Sequence, residues 1–190
     1  MSTNLIEDEE FQGINFSIEK ISKGEYENCY FENCTFSKVD LSNITFLECT
    51  FNNCDFSMVN ISNTAFREVE FKNCKLLGIN FSKCNKFGLS INFENCQLDL
   101  SSFYKVELKN KYFKNCSLKE VDFSESNLTS SVFNNCDLLD SRFEKSILEK
   151  VDFRTASNFI IDPEINQIKK AKFSVSGLAG LLTKYNIEVE

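Results

Sequence analysis

Histidine is absent from the 190 residues, proline occurs once and glycine only six times. Without histidine the chain lacks the usual general base of neutral-pH catalysis and the commonest neutral metal ligand. No glycine-rich stretch has the form of a phosphate-cradling loop, and no nucleophile stands beside a base in a familiar motif. These absences argue against an enzyme, and no cofactor is expected. No apolar run nears the ~20 residues of a membrane helix, so no membrane partner is expected. Met1–Glu10 is acidic and polar, without a basic or apolar leader, and predicts a soluble cytoplasmic protein. Positive charge is also scarce. Residues 1–164 hold 26 acids against 17 bases, a net of −9, while residues 165–190 hold two acids and four bases, a net of +2. An acidic body is a poor direct ligand for nucleic acid, whose phosphates require cations. It suits a protein whose own surface is basic.

What the chain has in abundance is a period. A large apolar residue returns every fifth position, as in Phe11, Phe16, Ile21, Tyr26, Phe31, Phe36, Leu41 and Phe46, and on to Phe81. The row slips by two residues and resumes from Phe93 to Phe153. A period of five is neither helical nor that of a flat half-buried strand. Sustained over this length it means stacked repeats, each burying its apolar side against its neighbours.

All nine cysteines fall on one column, two positions before the five-residue row: Cys29, Cys34, Cys49, Cys54, Cys74, Cys84, Cys96, Cys116 and Cys136. Valine, serine, threonine and alanine share that slot, so it selects for size, and buried reduced cysteine fits it. Zinc is disfavoured by the missing histidine, and disulfides by the odd cysteine count. Asn33–Cys34, Asn53–Cys54 and Asn73–Cys74 lie twenty apart, as do Asn95–Cys96, Asn115–Cys116 and Asn135–Cys136. Twenty is four fives, so if one coil has four five-residue sides, each pair stacks on its copy. Stacked asparagines can bond to one another along such a column. About eight coils at ~4.8 Å make a rod of ~38 Å.

Three places depart from the rule. At 82–92 Lys86 falls where an apolar residue is due, which reads as a two-residue bulge at a corner. Lys111 occupies a small slot, and its head is expected to reach out to water. Beyond Phe173, Ser176 could cap a short helix on which Leu178, Leu181, Leu182 and Tyr185 form one apolar stripe, ended by Asn186. Ile187 and Val189 alternate with Glu188 and Glu190 as in an edge strand. The organisation expected is therefore an N-terminal cap at 1–10, a repeat body at 11–173 and a C-terminal helix and strand at 174–190. That last part either covers an open edge or also buries itself against a second copy.

Cys54-Asp55-Phe56, Ser126-Asn127-Leu128 and Cys136-Asp137-Leu138 resemble the motif of the pentapeptide-repeat family, roughly Ala-(Asp/Asn)-Leu-x-x, over residues 11–158. The resemblance implies an all-β fold, a right-handed quadrilateral parallel β-helix, with a short C-terminal helical cap. Glu10–Ser17 and the segment from Gly177 through Leu178, Leu181, Leu182 and Tyr185 to Ile187 look like the ends of the Qnr and MfpA type. That likeness, to the loopless kind, implies a homodimer joined at its C-terminal end. The dimer would be a DNA mimic that binds DNA gyrase or topoisomerase IV and in some members confers quinolone resistance. The dimer interface would comprise Leu178, Leu181, Leu182, Tyr185 and Ile187. By register, Glu25, Glu27, Glu48, Glu68, Glu107 and Glu149 share one side against Arg67, Lys109 and Lys150, forming a modest acidic stripe for a partner. The same stripe also reads as an ordinary solvated surface. A general protein-interaction scaffold is the other function in view.

Overall fold

The computed structural model describes residues 4–188. Its unit is a five-residue side closed by a left-handed corner. At Phe36–Val39, for example, the Val39 amide donates to the Phe36 carbonyl at 3.0 Å and Lys38 has φ +59°. A positive φ at the third residue of such a turn is the type II geometry, which favours glycine or asparagine there. Across the described residues 26 non-glycine positions are left-handed, and asparagine holds twelve of them.

Between corners the chain runs as very short strands: β1 (Leu5–Glu7), β2 (Glu10–Gln12), β3 (Glu25–Glu27), β4 (Tyr30–Glu32), β5 (Thr45–Leu47), β6 (Thr50–Asn52), β7 (Ala65–Arg67), β8 (Val69–Lys72), β9 (Ile91–Glu94), β10 (Tyr112–Lys114) and β11 (Val132–Asn134). All pairings are parallel. One side of the rod is the sheet β1-β3-β5-β7, and the adjacent side is the longer sheet β2-β4-β6-β8-β9-β10-β11. The other two sides are ladders of single bridges, such as Asn15–Thr35–Asp55–Lys75 and Ser102–Asp122–Arg142. The register is twenty residues, as in Phe31 opposite Phe51, so each residue stacks on its own equivalent.

The core follows from that register. Phe11, Phe31, Phe51, Phe71, Phe93, Phe113, Phe133, Phe153 and Phe173 form one stack of nine rings, with neighbouring centroids 4.6–5.5 Å apart. Offset-parallel rings at this spacing gain specific attraction beyond their buried area. Rings on adjacent sides meet edge to face, as Phe51 and Phe56 do at 88°. The nine cysteines are free and buried. Six share one column, where each thiol donates to a carbonyl of the preceding coil, as Cys74 Sγ does to Phe51 O at 3.4 Å. Burial pushes the Cys49 thiol up to about 12 and Cys84 up to about 11. At the corner beside this column the asparagine ladder is present. Asn53 donates to Asn33, Asn95 to Asn73 at 3.2 Å and Asn115 to Asn95 at 2.9 Å. One step deviates, where Asn73 turns to Asn52 at 2.8 Å.

Four expectations are corrected. Stacking begins at Leu5 rather than after residue 10, because β1 pairs with β3 and β2 with β4. Ile6, five residues before Phe11, already carries the register, while Met1–Thr3 lie outside the described residues. The Lys111 ammonium does not run free to water. It donates to the Ser90 hydroxyl at 2.9 Å, half-buried, and desolvation holds its pKa below the usual lysine value. Ser174 rather than Ser176 caps the C-terminal helical segment, accepting from the Gly177 amide at 3.0 Å. Ile187 and Glu188 are in no strand, and Val189 and Glu190 lie outside the described residues. The helix itself is short, α1 (Ala179–Leu182) flanked by single 3-10 turns, and Asn186 ends it with φ +49°.

Candidate interaction surfaces

A solid rod offers partners only its sides and tips, and the side residues are placed by the strand register. The corner shared by the two sheets gathers carboxylates. Glu7 stacks under Glu27, Glu10 lies on the first level of the longer sheet, and Glu70 stands three levels above it. Asp8 starts the corner column itself, where Asn28 donates to it at 2.7 Å and left-handed Glu48 and Glu68 follow. With Glu9 and Glu25, nine carboxylates stand on four successive levels. Arg67 and Lys72 are the bases among them, and Lys72 is already paired to Glu70 at 2.6 Å. Four levels span ~14 Å, over which duplex DNA carries about eight charges.

The structure therefore brings Glu25, Glu27, Glu48 and Glu68 together and adds Glu7–Glu10, which the sequence reading assigned to a cap. The signal that could have found them is Ile6, whose place in the five-residue row carries the register below Phe11. Glu107 and Glu149 do not join this cluster. The insertion separates them from it. Asn85 still pairs above Ala65, and Ile91 pairs above Val69, so the chain takes six steps where the coil below takes four. The extra residues lift out as Lys86–Ser90, with left-handed Gly88 and Phe87 79% exposed. The shorter sheet stops at β7, while β8 and β9 carry the longer sheet past the bulge. Arg67 lies under this loop with its guanidinium carbon 5.7 Å from the Phe87 ring centre. Above the loop Glu107 is neutralised by Lys109 at 3.1 Å. The stripe is thus a dense lower ridge, an aromatic and cationic step, and a sparse upper part.

The C-terminal tip is a lid laid across the last coil. Gly180 fits because a side chain there would overlap the Phe159 carbonyl oxygen. Its own carbonyl accepts from the Ile161 amide at 3.0 Å. Lys184 pairs with Asp162 and Glu164, both at 2.7 Å, and the Tyr185 hydroxyl donates to Glu164 at 2.8 Å. Lys184 holds both carboxyls below their ordinary range. Of the expected dimer residues, Leu181 turns inward and packs partly buried on the core. Leu178, Tyr185 and Ile187 remain 45%, 49% and 56% exposed, with Leu182 between them half-buried and Val175 nearby at 88%. The stripe is split because the lid seats one of its faces on the rod.

The structure's neighbours agree with this architecture. A trypsin-treated variant of QnrB1, described as a plasmid-mediated fluoroquinolone resistance protein, matches with TM-score 0.62 and 17% identity over 100% of both chains. Full-length QnrB1 matches with TM-score 0.55 and 17% identity over 97% of this chain and 100% of that one. HetL, a pentapeptide repeat protein involved in heterocyst differentiation regulation from the cyanobacterium Nostoc, matches with TM-score 0.54 and 11% identity over 90% of this chain and 88% of its own. At these identities the likeness concerns the fold. No curated protein matches in sequence. No helix among the described residues is long and apolar enough to cross a membrane. The model of the pentapeptide repeat region matches residues 25–92 and 89–157, and with the twenty-residue coil described above it makes this chain a member of the pentapeptide-repeat family.

Proposed function

We propose that the protein is a non-catalytic, dimeric mimic of duplex DNA that binds DNA gyrase or topoisomerase IV and shields the enzyme from quinolones. The observation that carries this reading is the lower acidic ridge, whose nine carboxylates on four levels come close to the charge density of a duplex. The slender rod and its likeness to QnrB1 support it. So does the exposed apolar remainder of the lid, where Leu178, Tyr185 and Ile187 would meet a second copy. A partner that normally grips DNA with basic side chains would meet fixed carboxylates, with no direct nucleic-acid contact by the rod itself. The polar side chains run in columns rather than converging, which supports a binding rather than a catalytic role.

The test is a supercoiling assay with purified gyrase and with topoisomerase IV, with and without a quinolone, beside a solution mass of the free protein. The expected result is a dimer that alters enzyme activity or drug sensitivity at low salt and fades as salt rises. A monomer without effect on either enzyme would transfer the case to the alternative, an interaction scaffold for another partner. One observation favours that alternative: the Phe87 step ends the acidic ridge halfway along the rod.

A further inference from the structure

The first coil is open on one of its four sides. In the corner column that turns into this side, Lys38, Met58, Gly78 and Leu100 are left-handed with φ of +59°, +58°, +66° and +63°. Ile18 holds the same place one coil lower and is not left-handed. A β-branched side chain avoids that conformation. The chain instead winds helically, with the Ile18 and Glu19 amides donating to the Asn15 carbonyl at 3.0 and 2.9 Å. Residues 18–23 then swing away from the coil above. Among the described residues the Asp40 amide donates to no acceptor, as does that of Asn80 beside the insertion, whereas the equivalent Asn60, Ser102, Asp122 and Arg142 amides each bond to the coil beneath. The carbonyls of Asp40 and Ser42, which a closed coil would meet with backbone amides, are met by the Lys23 ammonium at 2.9 and 2.8 Å.

The result is a groove of about 770 Å³, floored by Phe16, Ile21 and Val39 and edged by Lys20, Lys23 and Lys38. Lys23 also touches the Asp40 carboxylate at 3.4 Å, and Asp40 is the one acid of the lining. Lys20 and Lys38 make no ion pair among the described residues. On an acidic rod this is a local inversion of charge, beside a free backbone edge with an apolar floor.

We propose that this open side receives an extended acidic segment of a partner protein, which completes the missing side as an added strand. Its backbone amides would take over the Asp40 and Ser42 carbonyls, its carbonyl would accept the idle Asp40 amide, and its carboxylates would draw off Lys23 and engage Lys20 and Lys38. Alternate apolar side chains would cover Phe16 and Val39, in the manner of strand addition at a sheet edge. One side of a coil is five residues, ~17 Å of extended chain. This site lies at the tip opposite the lid and does not depend on the topoisomerase reading.

The full chain should be titrated with a fluorescein-labelled peptide alternating glutamate and valine, beside lysine–valine and serine–valine peptides of equal length and phosphatidylserine vesicles. The acidic peptide is expected to bind, and the other probes are not. Lys20→Glu with Lys38→Glu, both at exposed positions, should weaken its binding roughly tenfold or more without moving the thermal midpoint. Ile18→Gly should also abolish binding, because the corner can then turn left-handed and close the coil. Equal binding of all three peptides, or an undiminished affinity in the double lysine variant, would overturn the proposal. So would capture of vesicles without capture of peptide.

Discussion

A left-handed backbone costs glycine nothing and asparagine little, and it burdens most other side chains. The corners of this rod are sorted by that rule, with asparagine at eleven of them, but several hold residues the rule disfavours. Leu100 sits at φ +63° and is 61% exposed, so its side chain gains little packing to offset the strain. Leu100→Asn is expected to stabilise the fold by about 1 kcal/mol, read as a higher urea midpoint at unchanged slope. An unmoved or lowered midpoint would mean that the leucine contributes packing. The inward columns were legible in the sequence because phenylalanine and cysteine each kept one register. The corners were legible only where asparagine marked them. Ile18 shows the gap: its identity was in plain view, but its significance needed the knowledge that its slot is left-handed. Lys111 shows another. Its misfit to a small slot could be read from its neighbours in the column, whereas the Ser90 hydroxyl that receives it is supplied by the bulge.

At the scale of elements, the two irregular pieces are the bulge and the lid. The slip in period points to a bulge within 82–92, since two extra residues shift every later column by two. Its consequence was not legible. Outward residues obey no strict pattern, so register alone carries the stripe on through Glu107 and Glu149 as on a continuous side. The lid was foreshadowed by a helical spacing of leucines, but spacing alone could not say that Leu181 faces the rod. That orientation is set by Gly180 lying against Phe159. Gly180→Ala is therefore expected to lift the lid while leaving the coils below intact. Limited proteolysis should then cut after Phe173 first, with the circular dichroism of the β-helix preserved. A lid as resistant as that of the native chain would show that Lys184 and Tyr185 suffice to hold it.

The whole molecule is a rod with unlike ends and unlike halves. Residues 1–93 hold 13 acids against 8 bases and residues 94–190 hold 15 against 13, so the lower half carries most of the net negative charge. If a topoisomerase is the partner, neutralising Glu48 and Glu68 together should weaken the effect in the supercoiling assay several-fold more than neutralising Glu107 and Glu149 together. The second pair lies beyond the Phe87 step and has Lys109 beside it. Equal losses from the two pairs would place the contact over the full length of the rod, and no loss from either would remove the acidic ridge from recognition altogether. Salt should blunt the first pair's contribution more strongly, as befits exposed charges acting at a distance.

The nine stacked phenylalanines also make the extent of the rod a countable quantity. Every storey repeats the same ring on the same ring, so excising or duplicating twenty residues between corners changes the height by ~4.8 Å and alters neither tip. The molecule is in effect a ruler graduated in aromatic side chains. The gap it can bridge between two attached bodies is adjustable in whole graduations, without redesign of whatever grips either end.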